Sequence, residues 1–247
     1  MSNEAKQIWI ISFTIALVMS ISCQKLSLRN EEVIHGDETY YLINPDIILD
    51  AIAKGQTTIF DLQTVTPQPA LSQSLSTVQW TQKDYLSIVE ALHQFVWHES
   101  IEDWSLRYIL FSLNCDDVGK GPQSAYFIFY KVVENNQQKT RFEHQIYIDP
   151  SNNSAGWSEV EYRPSLVNQD PIELSKHKIS ITDALQIAEN NGGQEARTET
   201  ANKCTVNGEY INSFDNWRIS YVKTLDLFAI DVNAFTGNYK IVEVQTK

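Results

Sequence analysis

Cations are scarce in this chain: 19 Lys and Arg stand against 31 Asp and Glu, a formal charge of −12 over 247 residues. No Lys/Arg cluster offers a local exception, so a nucleic-acid partner is excluded on electrostatic grounds. Apolar runs long enough to span a bilayer are missing too. The longest, Ile8–Ile21, covers 14 residues and is broken by Ser12, Thr14 and Ser20, short of the roughly 20 a spanning helix needs. Cysteine is limited to Cys23, Cys115 and Cys204. Motifs that carry chemistry are absent as well: there is no G-x-S-x-G elbow, no S-x-x-K that reads as catalytic, and no i, i+4 histidine pair. His93 and His98 are five apart, and His35, His144 and His177 have no ligand spacing. The stretch Asn114–Gly121 lacks the order and distal Glu of a calcium loop, and Gly119-x-Gly121 has no strand-then-helix context for phosphate. Metal and cofactor chemistry are therefore not expected. What is present is ordinary for a folded body: 43% hydrophobic and 11% aromatic residues, too many for disorder.

The first 23 residues read as an export signal. A 14-residue apolar core precedes Ser20-Ile21-Ser22-Cys23, and small residues at −3 and −1 fit signal cleavage before Cys23. The junction resembles the lipobox of bacterial lipoproteins, which implies a lipid attached at Cys23 and a membrane anchor. Ser20 stands where that motif usually has Leu, and Lys6 is offset by Glu4. Ordinary secretion and an uncleaved anchor are the alternatives. All three put the body outside the cytoplasm, in the cell envelope or secreted. With Cys23 lipidated, Cys115 and Cys204 form an even pair in an oxidising compartment, either bridged or buried as two thiols.

Along the body, residues 24–37 read as a polar tether and Asn44-Pro45-Asp46 opens a short helix over 45–54 that ends at Gly55. Thr57–Leu62 is strand-like, and Pro67 and Pro69 mark a loop. Thr81 and Asp84 form a capping pair, after which Tyr85, Ile88, Val89, Leu92, Phe95 and Val96 line one helical face. Strands are expected at Trp104–Leu113, Ser124–Val133, Arg141–Asp149 and Trp157–Tyr162. The order then recurs. Ser180 and Asp183 cap a second helix bearing Ile181, Leu185 and Ala188, Gly192-Gly193 stops it, and strands follow at Ala196–Thr205, Trp217–Val222, Leu227–Asn233 and Tyr239–Val244. Asp84, Leu86, Ile88 and Glu90 match Asp183, Leu185, Ile187 and Glu189 at an offset of 99. The expected fold is α+β: two tandem modules, residues 80–170 and 171–247, each a helix packed on an antiparallel sheet of three to four strands.

Three segments, Asp183-Ala184-Leu185-Gln186-Ile187-Ala188, Trp217-Arg218-Ile219-Ser220-Tyr221 and Val232-Asn233-Ala234-Phe235-Thr236-Gly237, resemble a PepSY domain. That family shows a helix with D-A-x-x-I-A, an aromatic strand and a strand ending V-D-A-x-T-G. Asn233 replaces the usual Asp, and Thr198–Phe214 looks inserted. The resemblance spans residues 180–246 and implies a cystatin/PepSY-like helix-on-sheet module with a binding or inhibitory role toward peptides or peptidases. Its motifs are structural, not catalytic.

Trp97, Trp104, Trp157 and Trp217 sit at the ends of predicted elements. They either cap the two cores or form an exposed aromatic groove for a peptide or glycan. Acid pairs such as Glu102-Asp103 and Glu159/Glu161 leave open a hydrolase of an envelope polymer using two carboxylates. A purely structural lipoprotein is the third expectation. The first reading, a non-enzymatic, lipid-anchored binding module with a protein or peptide partner, fits most of these features.

Overall fold

A computed structural model describes residues 32–36, 53–55, 82–119, 124–135, 138–150, 154–163 and 170–242. Cys23, the export signal, the strand expected at 57–62, the Thr81 cap and the side chain of Phe95 lie outside the described residues. Of the helix expected over 45–54, only the end at 53–55 is described, with Gly55 at φ +65°. The chain divides into two units, Met1–Glu32 and Val33–Lys247, and the following concerns the second.

The first helix, α1 (Gln82–Leu92), exists because Tyr85, Ile88, Val89 and Leu92 recur at helical spacing, and all four are fully buried. A π-helical turn over His93–Trp97 continues it, and His98 ends it in the left-handed region at φ 54°. Four strands follow: β2 (Ser105–Asn114), β3 (Ser124–Asn135), β4 (Gln138–Asp149) and β5 (Ser154–Arg163). The second helix, α2 (Ile181–Ala188), starts at a complete capping box. The Ser180 hydroxyl accepts from the Asp183 backbone N–H, and the Asp183 carboxylate accepts from the Ser180 N–H. Then come α3 (Gln194–Glu199), β6 (Thr205–Ile211), β7 (Asn216–Val222), β8 (Asp226–Asn233) and β9 (Tyr239–Val242).

Ala196–Thr205 is therefore not a strand at its start. Gly192-Gly193 kinks the helix rather than stopping it: Gly192 has φ +120°, a π-helical turn over Glu189–Gly193 spans the kink, and α3 resumes beyond. Two contacts hold that bend. The Tyr221 hydroxyl donates to Glu189 Oε1 at 2.6 Å, and Arg197 Nε donates to Glu189 Oε2 at 2.8 Å. Gly193 is required for space as well, since an added Cβ would overlap the Tyr221 ring. The stretch that looks inserted, Thr198–Phe214, contains β6, whose Val206, Gly208 and Tyr210 alternate inward. Likewise, the tether read over residues 24–37 includes a strand, β1 (Glu32–Gly36).

The two expected sheets are one. Strands β2–β9 form a continuous antiparallel sheet in the order β5-β4-β3-β2-β6-β7-β8-β9, and β1 flanks β5. The join is β2 against β6, with Leu110 opposite Glu209 and Phe111 opposite Gly208. Each half begins with its helix, places its first strand at the centre and meanders outward. The offset of 99 residues reappears in space at this join. Leu110 and Glu209, 99 apart, face each other in the central pair, and the Ile181 N–H donates to Gln82 Oε1, again 99 apart, at 3.3 Å. Both helices cover the same sheet face. Tyr85 packs edge-on to Phe111 at 5.5 Å, and Ile181 sits over Gly208, Phe111's partner.

Core residues run across that face in rows set by register. Phe127, Ile146 and Trp157 align in the first half; Ile219, Ile230 and Ile241 align in the second. Burying each large apolar side chain contributes on the order of 1.5–3 kcal/mol. Cys115 and Cys204 pair as a disulfide, with Cα atoms 5.3 Å apart, joining the end of β2 to the residue before β6. The Cys115 N–H also donates to the Cys204 carbonyl at 2.9 Å. Such a bond suits an oxidising compartment outside the cytoplasm. Among the described residues, no helix is long and apolar enough to cross a membrane.

Candidate functional site

The two outer strands of the sheet are not equivalent. In the first half, Ala155 and Trp157 on β5 are buried, Trp157 to 3% exposure, and β1 lies beyond them. In the second half, Tyr239 and Ile241 hold the corresponding places on β9, opposite Val232 and Ile230. They are 50% and 52% exposed, and among the described residues β9 ends the sheet. Helix α2 packs over β7 and β8, and the rows Trp217–Val232–Tyr239 and Ile219–Ile230–Ile241 are fully buried on those two strands and half-exposed on β9.

The β8–β9 hairpin that presents this edge is rigidly built. Asn233 Oδ1 accepts from the N–H groups of Phe235 (3.2 Å) and Thr236 (3.0 Å) and from the Thr236 hydroxyl (3.0 Å). Gly237 takes φ +74° and donates to the Asn233 carbonyl. An Asp carboxylate would accept the same bonds, so Asn233 preserves the turn; its amide additionally reaches the Asp215 carbonyl at 3.4 Å. On the sheet's other face, β9 carries Lys240 at the end of a charge ladder. Glu209 is opposite Arg218, Arg218 opposite Asp231, and Asp231 opposite Lys240. Arg218 clasps Asp231 with two bonds of 2.8 and 3.0 Å.

A cleft of about 650 Å³ opens beside the join of the two halves. Arg107 and Tyr108 form one wall; His177, Glu209, Tyr210, Asp215 and Phe235 form others. The His177 ring stacks on Tyr210 at 4.5 Å and meets Phe235 edge-on, and burial lowers its pKa against the opposing pull of Asp215. The cleft's acids are largely committed. Glu173 pairs with Lys176 at 2.6 Å, and Asp215 accepts from the Tyr210 hydroxyl at 3.1 Å. Tyr108 is pushed up to about 12 by burial and by the adjacent Glu209, its hydrogen-bond acceptor.

The predicted tryptophans go to different places. Trp104, Trp157 and Trp217 are buried, and Trp217 Nε1 donates to the Ile179 carbonyl at 3.0 Å. Trp97 is half-buried and stacks on His144 at 3.7 Å; Trp104 stacks on the other side of that imidazole at 3.6 Å. Three of the four are core residues, and Trp97 packs against that core. His93 sits against the same cluster, 5.0 Å from the His144 ring and 5.0 Å from Phe129. Both histidines are buried, and neither nitrogen of His93 nor Nδ1 of His144 has a hydrogen-bond partner. Burial pulls the His93 pKa down to about 4, against Glu99. It pulls His144 to about 2, helped by His93 and Lys131. Glu159 stands 3.8 Å from His144 Nε2. Among the described residues, no group of three or more His, Cys, Asp and Glu could hold a metal ion. Sequence reasoning separated His93 from His144 because they lie on different elements and meet only through packing. No family model, curated protein or solved structure matches this chain.

Proposed function

We propose that this is an exported envelope protein, lipid-anchored through Cys23, whose body is a non-enzymatic binding module of two PepSY-like halves. It takes an extended segment of a protein partner onto the free edge of β9. The observation that carries this reading is the inequivalence of the two outer strands: among the described residues, β5 has a neighbouring strand and buried apolar side chains, whereas β9 has no strand beyond it and carries half-exposed ones. A strand added beside β9 would cover Tyr239 and Ile241 and satisfy the edge's outward backbone groups, as β1 does beside β5. The helix-then-four-strands order, met twice, supports treating the halves as copies of one unit. The disulfide supports an extracytoplasmic site of action.

A photoreactive amino acid at position 241 of the full chain, expressed in its own envelope, should yield adducts with a polypeptide. The same group at exposed Val132 should not. Absence of adducts at 241, or equal yield at both positions, overturns the edge reading. Palmitate labelling lost in Cys23→Ala tests the anchor. A second reading, hydrolysis of an envelope polymer, is favoured by the acids around the 650 Å³ cleft. It ranks lower because Glu173, Glu209 and Asp215 already serve Lys176, Tyr108 and Tyr210. Turnover in a polymer panel that disappears in Glu209→Gln would reverse that ranking.

A further inference from the structure

The edge strand carries a recognition rule in its two faces. On the helix-bearing face, two fully buried rows end in half-exposed apolar side chains, Tyr239 and Ile241. On the opposite face, the ladder from Glu209 through Arg218 and Asp231 to Lys240 alternates in sign at every step. Directly opposed side chains in an antiparallel pair share a face and interact, opposite charges favourably and like charges unfavourably. Asp231 is already held by both Arg218 nitrogens, which leaves the exposed Lys240 ammonium as the ladder's outer terminus.

We infer that the β9 edge selects an extended peptide with an acidic residue flanked by apolar ones: the acid opposite Lys240, the apolar side chains opposite Tyr239 and Ile241. This rests on the strand-addition reading above and adds the partner's chemistry to it. The same ladder disfavours a second copy of the chain. Antiparallel self-pairing of β9 in the register centred on Lys240 would set two Lys240 ammoniums opposite each other, at the cost that like-charged cross-strand pairs carry. A lysine on an exposed edge is a common guard against such pairing. The partner must also leave room for backbone contact along four residues, the length of β9, so a short linear segment suffices.

The test uses the mature full chain and labelled synthetic peptides with a valine–glutamate–valine or a valine–lysine–valine centre, otherwise identical, read by fluorescence anisotropy. The glutamate peptide should bind about two- to tenfold tighter, and Lys240→Glu, a change at an exposed position, should invert the order. Equal binding of both peptides overturns the charge rule while leaving strand addition intact. Binding of neither peptide overturns both. Concentration-dependent dimers blocked by Ile241→Lys, with no peptide binding, would assign the edge to a second copy and overturn the proposal.

Discussion

Replacing the buried histidine pair should flatten the protein's response to acid. His93 and His144 are fully enclosed, lie 5.0 Å apart, and are held neutral by burial, with pKa values near 4 and 2 against 6.5 when exposed. The folded state therefore binds fewer protons than the unfolded chain below pH 6.5, so stability is full above that value and is lost as pH falls beneath it. Each group loses up to about 1.4 kcal/mol per pH unit in this window. From pH 7 to pH 5 the loss is about 2 kcal/mol per histidine, about 4 for the pair, a large share of the 5–15 kcal/mol typical of a domain. Glu99 facing His93 softens this, and Lys131 sharpens it at His144. In His93→Phe/His144→Phe the aromatic stack between Trp97 and Trp104 is kept and three unpartnered ring nitrogens are removed. Urea unfolding followed by tryptophan fluorescence at pH 7.5 and 5.0 measures the difference. The wild type should lose most of those 4 kcal/mol, and the double variant should keep all but the smaller share due to His177. An equal acid loss in both proteins would refute burial as the cause.

Two further outcomes follow from the join between the halves. Gly208→Val should destabilise the protein by about 1–3 kcal/mol, measured by thermal unfolding, because a side chain there overlaps Ile181 Cδ1 and crowds Ile219, which must shift to admit it. Ser220→Val on the opposite face of the neighbouring strand should change stability far less. Reducing Cys115–Cys204, whose separation is 89 residues, should lower stability by about 2–4 kcal/mol, seen as a reductant-dependent shift in the urea midpoint that vanishes in Cys115→Ser/Cys204→Ser.

Most of the secondary structure was legible because it follows from local periodicity. The α1 stripe Tyr85, Ile88, Val89 and Leu92 and the inward alternation of Phe127 and Phe129 are set by how a chain must fold to hide apolar groups. The errors came where local signals conflict. Gly192-Gly193 reads as a helix stop, yet Glu189 ties Arg197 and Tyr221 across the kink, and Gln194–Glu199 are good helix formers. Strand β6 was hidden because Asn207 and Gly208 have poor strand propensity; Gly208 is there only to admit Ile181.

By itself the sequence determined the α+β character, Cys115 and Cys204 as the candidates for a bridge, and a helix-then-strands order met twice. All of these are properties of residue type and spacing along one chain. Tertiary structure alone decided that the two halves share one sheet, because pairing of β2 with β6 depends on two edges more than 90 residues apart finding each other. It also decided that Trp104, Trp157 and Trp217 are buried, with Trp97 packed against the core, and that among the described residues no strand lies beyond β9. Which edge is covered is a matter of what packs beside it, and no window of sequence contains its own neighbour.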